Sequence, residues 1–474
     1  MLSLLVNPNF QARVRRVAQT SVGPPLGLAY IAAAAREGGH AVEILDANGL
    51  GLDVTETVER VVARRPGVVG ITATTPTIEL AAEIAAGVKA SAPETRVIVG
   101  GPHTTALPER SLDEFPSFDF VARGEAETSF PRFLDALASG DEDALTEVPG
   151  LAYRTGDGVV VDTGIAPTHV ELDAVPWPAR DLLPMDRYRC PDSESFTTIL
   201  AMRGCPFKCS FCAVPGYHGR RMRYRAAAEV AAEMDEVNRR FGTRFFGFID
   251  DTFTTDHKWV DSFLDEVTSR GLERRVRWTC LTRADVTDAA LFRKMREAGC
   301  VRVAMGIESG STPGLDFLRK GLSEDMVLRA FADARSAGLS TMGFVILNIP
   351  GETEEDVERT SRLVRRADPD YLQVSFLTPY PGTPLWDIAH EKGWVTTDKW
   401  SEYSFLNSVI LRHGSLTKEE LERQYLRFVR GFYFRPRTAW KLGRMLLNGT
   451  AQVGPLVSAV RSGIGSLTSR VRAG

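Results

Sequence analysis

The sequence predicts an α/β protein made of two successive domains and a mainly helical C-terminal region. At 474 residues the chain is longer than one ordinary domain. Short β-rich runs alternate with helical patterns twice along the chain, over residues 1–140 and again over residues 196–390. Such alternation is typical of parallel sheets whose strands are joined by crossover helices. The hydrophobic and charged fractions, 43% and 25%, are those of an ordinary globular protein.

Residues 1–140 are predicted to form a doubly wound, Rossmann-like domain. Its strands are predicted at residues 2–6, 41–45, 67–73, 96–100 and 118–121. Helical patterns follow at about 25–37, 53–65, 77–91 and 126–139. Ligands of such sheets bind beyond the carboxyl ends of the strands. No G-x-G-x-x-G follows the first strand, which argues against NAD or FAD as the ligand.

Residues 141–195 are proline-rich, show little periodicity and are predicted to be a linker. The second series then begins, with strands predicted at residues 196–202, 244–249, 276–281, 301–307, 340–347 and 371–376. In the helix predicted after the first of them, Val230, Met234 and Val237 recur at i, i+4 and i+7. Six β/α units are two short of a closed eight-fold barrel. The sequence therefore predicts a partial (β/α)6 barrel of the TIM type, with a lateral mouth for a large substrate.

Three cysteines follow the first predicted barrel strand, at the end where β/α barrels build their active sites. Cys205, Cys209 and Cys212 have C-x3-C-x2-C spacing, so they can hold three corners of a 4Fe-4S cluster and leave the fourth iron without a protein ligand. The alternative is a structural zinc site with His218 as the fourth ligand, although no second C-x2-C pair exists. The other three cysteines are scattered singly, which predicts no disulfide framework, and a reduced cytoplasm suits an oxygen-sensitive cluster.

The cysteine motif closely resembles that of the radical SAM superfamily. The resemblance implies that the open iron binds S-adenosylmethionine (SAM) and that polar groups at later strand ends contact it. The implied residues are Phe211 beside the cluster, Asp250 or Asp251 for the ammonium group, Arg283 for the carboxylate, Glu308 for the ribose hydroxyls and Asn348 near the adenine. As alternatives, one of the two aspartates could cap the following helix, and Arg283 could be an ordinary surface arginine. Asn348 replaces one glycine of the family's G-x-I-x-G-x-P-G-E-T pattern.

A doubly wound domain ahead of such a barrel resembles the cobalamin-binding radical SAM family. Cobalamin domains of the methionine-synthase type carry D-x-H-x-x-G, and this chain has Asp46, Asn48 and Gly51 at those positions. An amide is a poor cobalt ligand, so we expect no protein nitrogen on the lower face of the cobalt. Further cobalamin contacts are implied at strand ends, by Thr72, Thr74, Thr75, Gly100, Gly101, His103, Gly124 and Glu125. The alternative is an ordinary domain for another nucleotide.

The resemblance implies a class B-like radical SAM methyltransferase. One SAM would give a 5′-deoxyadenosyl radical that abstracts hydrogen from an unactivated carbon, methylcobalamin would deliver a methyl group, and a second SAM would recharge the cobalt. The alternatives are a cyclase or oxidoreductase with the same cofactors and, outside enzymes, a zinc-stabilised sensor. Expected partners are a small-molecule or natural-product substrate and an electron donor such as flavodoxin or ferredoxin. The net charge of −4 does not favour a nucleic-acid partner.

Residues 391–474 are predicted to form a helical, basic region. From residue 421 onwards, ten Lys and Arg side chains stand against one acidic residue, Glu422. The pattern favours a helical tail whose aromatic residues cap the preceding domain, and contact with a membrane surface is the alternative. No run of 18 apolar residues occurs, so no spanning helix is predicted, and the short apolar N-terminus does not read as a signal peptide.

Overall fold

Two α/β domains in succession and a C-terminal helix make up the computed structural model, which describes residues 1–12, 21–168, 171–404, 409–436 and Gly443. The predicted fold class is confirmed. The N-terminal strands are β1 (Leu2–Asn7), β2 (Ala41–Asp46), β3 (Val68–Thr72), β4 (Arg96–Gly100), β5 (Phe120–Ala122), β6 (Leu151–Arg154) and β7 (Val160–Asp162). The N-terminal helices are α1 (Leu26–Glu37), α2 (Ala47–Leu50), α3 (Val54–Ala63), α4 (Ile78–Ser91), α5 (Pro102–Ala106), α6 (Pro108–Glu114), α7 (Ser129–Ser139) and α8 (Asp143–Thr146).

The N-terminal sheet has the strand order β2-β1-β3-β4-β5-β6-β7. Its first five strands are parallel, and β6 and β7 are antiparallel additions at one edge. Leu4 and Leu5 face opposite sides because side chains alternate along a strand, and each joins a different buried cluster. One cluster packs under α3 and α4 and the other under α1 and α7, so helices cover both faces of the sheet.

The segment predicted to be a linker contributes β6 and β7 to this sheet. The two strands have four and three residues, which is too short for alternation of apolar residues to mark them in the sequence. Arg180, from the same segment, crosses to the second domain and lies against β8, described next. The boundaries at residues 140, 195 and 390 remain predictions.

The second domain is built on six parallel strands that curl into a half-barrel, as predicted. The barrel strands are β8 (Phe196–Ile199), β11 (Phe245–Phe248), β12 (Arg277–Thr282), β13 (Cys300–Glu308), β14 (Ser340–Leu347) and β15 (Tyr371–Phe376), and a separate hairpin has β9 (Met202–Arg203) and β10 (Arg223–Tyr224). The remaining helices are α9 (Val214–Tyr217), α10 (Ala227–Phe241), α11 (His257–Ser269), α12 (Leu272–Arg275), α13 (Ala289–Glu297), α14 (Thr312–Phe317), α15 (Glu324–Ser336), α16 (Glu354–Ala367), α17 (Pro384–Glu391) and α18 (Lys418–Tyr433). Val230, Met234 and Val237 of α10 are buried against the sheet, as their spacing predicts.

Both edges of the open barrel are covered. At β15, the hydroxyl of Tyr433 from α18 accepts a hydrogen bond from Leu372 N at 3.1 Å and donates one to Leu372 O at 2.9 Å. At β8, Arg180 donates to Thr198 O at 2.8 Å. Covered edges offer no free ladder of backbone groups to another chain.

The C-terminal helix α18 therefore caps the barrel, with Phe428 and Phe432 buried against it. The basic residues from Arg437 onwards, which raised the possibility of membrane contact, lie outside the described residues. Among the helices that the structure describes, none combines the length and apolar character needed to cross a membrane.

Candidate active site

The cysteine loop leaves β9 and returns through α9 to β10, beyond the carboxyl end of β8. Cys205 is buried, and Cys209 and Cys212 are half-buried, all as free thiols. Gly204 has a φ of 94°, and a Cβ atom there would lie 2.2 Å from Arg221 O, so only glycine permits the close approach of the two arms of the loop. Within the described residues, no three His, Cys, Asp or Glu side chains converge as they would around a single metal ion. A cubane cluster does not require that, since each cysteine binds a different iron atom.

Basic side chains accompany the thiols. Burial raises the pKa of Cys212 to about 12 and also raises that of Cys205, which disfavours isolated thiolates. Arg283 Nη1 lies 3.7 Å from Cys209 Sγ, and the guanidinium stacks on the ring of Phe207 at 3.7 Å. Three cysteines on one loop, with a cation beside them, fit an iron–sulfur cluster, whose metal ions keep the ligating sulfurs deprotonated.

The zinc alternative needed His218 as a ligand. Nδ1 of His218 instead lies 2.7 Å from Glu125 Oε1 in a buried contact. The histidine is therefore engaged with the N-terminal domain.

The two aspartates after β11 differ in their surroundings. Asp250 Oδ1 accepts hydrogen bonds from Ala201 N at 2.8 Å and Met202 N, so this side chain holds the backbone that leads into the cysteine loop. Its Oδ2 is buried with no partner among the described residues. Burial raises the pKa of both Asp250 and Asp251 to about 7. The charge of Asp251 acts on Cys205 and Cys212, which places it on the cysteine side of the strand end.

Glu308 ends β13 in a left-handed conformation, with a φ of 59°. Its carboxylate is buried and accepts a hydrogen bond from Lys320 Nζ at 2.7 Å. A Cβ atom on Gly306 would lie 2.1 Å from Glu308 Oε1, so the glycine makes room for this carboxylate. Lys320 was missed by the sequence analysis because no motif surrounds it, and only the fold brings it beside Glu308.

Arg283 is held in place by several contacts. It donates to both carboxylate oxygens of Asp285, at 3.0 and 2.8 Å, and to Lys320 O at 2.8 Å. Lys320 Nζ also lies 5.9 Å from the centre of the Phe211 ring. Cys209, Arg283, Lys320, Glu308 and Phe211 therefore form one continuous set of contacts at the carboxyl ends of the strands.

Asn348 follows β14 with a φ of 64°, a conformation that glycine and asparagine tolerate best. This explains how an asparagine can stand at a position where the family pattern has glycine. Its Nδ2 donates to Leu411 O at 2.7 Å, and its backbone oxygen lies 3.2 Å from His413 Nε2.

Glu352 is a second residue to which the sequence analysis gave no role. It accepts hydrogen bonds from the hydroxyls of Ser309 and Ser311, the latter at 2.7 Å. It thereby ties the loop after β14 to the loop after β13. Glu352 could have been identified from the sequence, because it is the glutamate of the Gly-Glu-Thr in the family pattern.

A cavity of about 680 Å³ lies between the two domains. On the barrel side it is lined by Leu200, Arg203, Tyr217, Ile249 and Tyr380. The predicted cobalamin contacts that line it are Asn48, Thr72, Thr74, Gly100, Gly101, Gly124 and Glu125. The strand ends of the N-terminal sheet and the arms of the cysteine loop thus border one space.

Four predicted cobalamin contacts do not line this cavity. Asp46 caps α2 and accepts hydrogen bonds from Asn7 Nδ2 and Tyr188 Oη, both at 2.7 Å. The others have local roles: Gly51 ends α2 in a left-handed conformation, and Thr75 Oγ1 lies 3.3 Å from Nδ1 of His103.

The cavity fits cobalamin by two observations. Asn48 Oδ1 is buried without a hydrogen-bond partner among the described residues, and Asn48 lines the cavity. Gly101 also lines the cavity; it has a φ of 124°, and a Cβ atom there would lie 2.3 Å from Ala73 O, so only glycine fits at this position. An unpaired amide oxygen and a position without a side chain suit a large ligand with amide side chains.

Comparisons with known proteins agree with this geometry. The model of the radical SAM superfamily matches residues 199–364, and that of the B12 binding domain matches residues 13–134. An uncharacterized methyltransferase of Pyrococcus horikoshii, PH0819, is 36% identical over 93% of this chain and 94% of its own length. The anaerobic magnesium-protoporphyrin IX monomethyl ester cyclase of Cereibacter sphaeroides is 29% identical over 92% of this chain and 71% of its own length.

A solved structure has the same fold over most of the chain. The radical S-adenosylmethionine methyltransferase TsrM from Kitasatospora setae, solved with cobalamin and a 4Fe-4S cluster, superposes with a TM-score of 0.71. The match covers 92% of this chain and 89% of TsrM, at 20% identity.

Proposed function

Because the chain belongs to the cobalamin-dependent radical SAM methyltransferase family, we propose that it methylates an unactivated carbon of a small-molecule biosynthetic intermediate. The observation that carries the proposal is the cavity between the domains. Asn48 and Gly101 of the N-terminal domain line it together with Tyr217 and Ile249 of the barrel domain. A substrate bound on the barrel side of the cavity, beside cobalamin, would lie between the two cofactor sites.

Particular residues would hold the three cofactors. Cys205, Cys209 and Cys212 would ligate the cluster, and the cavity-lining residues would hold cobalamin. When bound, the cluster supplies the electron that cleaves SAM, and cobalamin carries the methyl group to be transferred. Lys320 fixes the carboxylate of Glu308, which is thereby oriented to accept hydrogen bonds from ribose hydroxyls.

A cyclase or oxidoreductase without methyl transfer is the second candidate. The Cereibacter sphaeroides cyclase, 29% identical over 92% of this chain, favours it. In both cases the enzyme would take its electron from an external donor such as flavodoxin or ferredoxin, in the cytoplasm. The two candidates differ in the fate of the methyl group of SAM.

Anaerobic turnover with methyl-labelled SAM separates the two candidates. Candidate substrates come from the pathway that neighbouring genes encode, and the reconstituted chain is incubated with a chemical reductant. Methyl transfer predicts 5′-deoxyadenosine, S-adenosylhomocysteine and a labelled product that is heavier by one methylene unit. A variant with all three cluster cysteines replaced by alanine is the control and should form neither nucleoside. Product and 5′-deoxyadenosine without S-adenosylhomocysteine would establish the cyclase-like reaction instead.

A further inference from the structure

One carboxylate of the N-terminal domain contacts both ends of the cysteine loop. Glu125, just beyond β5, has a side chain that is only 3% exposed. Arg203 Nη1 lies 3.0 Å from its Oε2, Arg223 Nη1 donates to the same oxygen at 2.8 Å, and His218 Nδ1 lies 2.7 Å from Oε1. Arg203 directly precedes the loop, whereas His218 and Arg223 follow its last cysteine.

The two arginines at the ends of the cysteine loop need a negative charge between them. Arg203 and Arg223 are paired directly across the β9–β10 hairpin, and their side chains are 6% and 9% exposed. Like charges directly opposite each other destabilise an antiparallel pair, and burial strengthens the repulsion. Glu125 lies between the two guanidinium groups and holds them together. Within the described residues, Glu127 makes a second contact with Arg203, but none with Arg223.

Both oxygens of Glu125 are engaged by these three side chains. Arg223 donates to both of them, His218 Nδ1 lies against Oε1, and Arg203 forms an ion pair with Oε2. Burial raises the pKa of Glu125, but the hydrogen bonds of Arg223 and His218 and the charge of Arg203 hold it far below its usual range. The sequence analysis had assigned Glu125 to cobalamin, but a carboxylate engaged in this way has little capacity left for another ligand.

We propose that Glu125 is a positioning residue that fixes the cysteine loop against the wall of the cobalamin cavity. It acts through Arg203, Arg223 and His218, and it sets where the loop lies relative to the N-terminal domain. The proposal rests on the proposed function only in treating this loop as the cluster loop.

The variant Glu125→Gln keeps the size of the side chain and removes its charge. Hydrogen–deuterium exchange of backbone amides is measured on the chain as isolated, without cofactors. We expect residues 204–222 to exchange at least about tenfold faster than in the unchanged chain, because Arg223 loses its carboxylate partner and Arg203 keeps only Glu127. Exchange in β3 should not change. After anaerobic reconstitution, iron content should fall and the electron paramagnetic resonance of the reduced cluster should shift.

Two further variants make the test specific. Asp162→Asn removes the ion pair between Asp162 and Arg123, a residue two positions before Glu125. Both partners belong to the N-terminal domain, so hydrogen–deuterium exchange in the cysteine loop should not change. Arg223→Met releases one end of the loop, so residues 204–222 should exchange faster than in the unchanged chain, though less so than in Glu125→Gln. If Glu125→Gln does not fold, the comparison of Arg223→Met with the unchanged chain decides the question, and equal loop exchange in the two would overturn the proposal.

Several results would overturn the proposal. Unchanged loop exchange in Glu125→Gln, with weaker cobalamin binding, would make Glu125 a cobalamin contact. Equal acceleration in Asp162→Asn would show a general loosening of the domain. Failure of the unchanged chain to take up iron would count against the proposed function instead, while the exchange data would still decide the role of Glu125.

Discussion

Two non-glycine residues that are predicted to contact SAM have left-handed backbone conformations, Glu308 with a φ of 59° and Asn348 with a φ of 64°. Each such conformation costs about 1–3 kcal/mol and persists only where surrounding contacts hold it. Here the contacts are those of Lys320 with the Glu308 carboxylate and of Leu411 O with the Asn348 amide. Two of the five non-glycine residues with a positive φ in the described structure therefore lie where a ligand is expected to bind.

Gly306→Ala should weaken SAM binding. The new Cβ would lie 2.1 Å from Glu308 Oε1 and 2.8 Å from Lys320 Nζ, so the carboxylate must move. We expect a loss of at least about tenfold in SAM affinity, since the displaced hydrogen bonds are charge-assisted. Isothermal titration calorimetry with SAM measures it. Gly431→Ala, in α18 with open space around the glycine, is the matched control and should bind SAM normally. Unaltered affinity in Gly306→Ala would remove Glu308 from the SAM site.

We expect bound cobalamin to have its dimethylbenzimidazole tail detached and no protein nitrogen on the cobalt. Asn48 lines the cavity with an amide, and His103 is turned to Thr75 and packs 4.6 Å from the Trp400 ring. Electron paramagnetic resonance of the Co(II) state should therefore show no nitrogen superhyperfine splitting. A splitting that disappears in His103→Gln would contradict this expectation and identify His103 as the ligand.

At the scale of elements, the half-barrel depends on what covers its two edge strands. Tyr433 of α18 makes two hydrogen bonds to Leu372 on β15, and Arg180 contacts β8. The residues that contact the two edge strands thus come from outside the β/α repeats. One belongs to the C-terminal region and the other to the segment between the domains. Contacts of this kind reduce the number of edge backbone groups that could pair with another chain.

Tyr433→Phe should destabilise the barrel by about 1–3 kcal/mol, because Leu372 N and O lose their partner in a buried setting. Urea unfolding monitored by circular dichroism measures the change. Light scattering during refolding should also rise, since two backbone groups of β15 become available to pair with another chain. Tyr425→Phe, on the same helix, is the control and should leave scattering unchanged. Equal stability of Tyr433→Phe and the unchanged chain would mean that α18 protects the edge by packing alone.

At the scale of the whole molecule, a C-terminal segment packs on the N-terminal domain. Trp400 donates through its indole nitrogen to Glu114 Oε2 at 2.6 Å, and its backbone nitrogen donates to Glu79 Oε1 at 2.9 Å. Arg110 lies over the Trp400 ring at 4.5 Å, and His103 meets the ring edge-on. The chain after the barrel thus returns to the first domain and fastens the two domains together.

His103 makes this junction sensitive to acid. Burial, with a contribution from Arg110, lowers the pKa of His103 to about 3. As the pH falls below about 6.5, the unfolded chain takes up a proton at this histidine while the folded chain does not, so stability is lost. Between pH 7 and pH 5 the loss amounts to about 2 kcal/mol.

His103→Gln should remove that part of the pH dependence. Urea unfolding measures the free energy of unfolding of both proteins at pH 7 and pH 5. Between these two pH values the unchanged chain should lose about 2 kcal/mol more stability than the variant. If the unchanged chain and His103→Gln lost the same stability between pH 7 and pH 5, His103 would be protonated in the folded chain at pH 5.

Features that depend on local spacing could be predicted from the sequence. Cys205, Cys209 and Cys212 lie within eight residues, so their spacing alone indicates a cluster loop. Strand and helix periodicity predicted the five parallel strands of the first domain and the six of the second, because alternation is a property of contiguous segments. Glu308 and Asn348 could be placed at strand ends for the same reason.

Only the tertiary structure decided the contacts between distant parts of the chain. Glu125 is separated from Arg223 by 98 positions and His103 from Trp400 by nearly 300, so no local pattern could report either contact. The same holds for Lys320 beside Glu308 and for the short strands β6 and β7, whose pairing depends on a sheet edge formed elsewhere. Local periodicity is fixed by neighbouring residues, whereas the partner of a buried charge is fixed by how the domains pack.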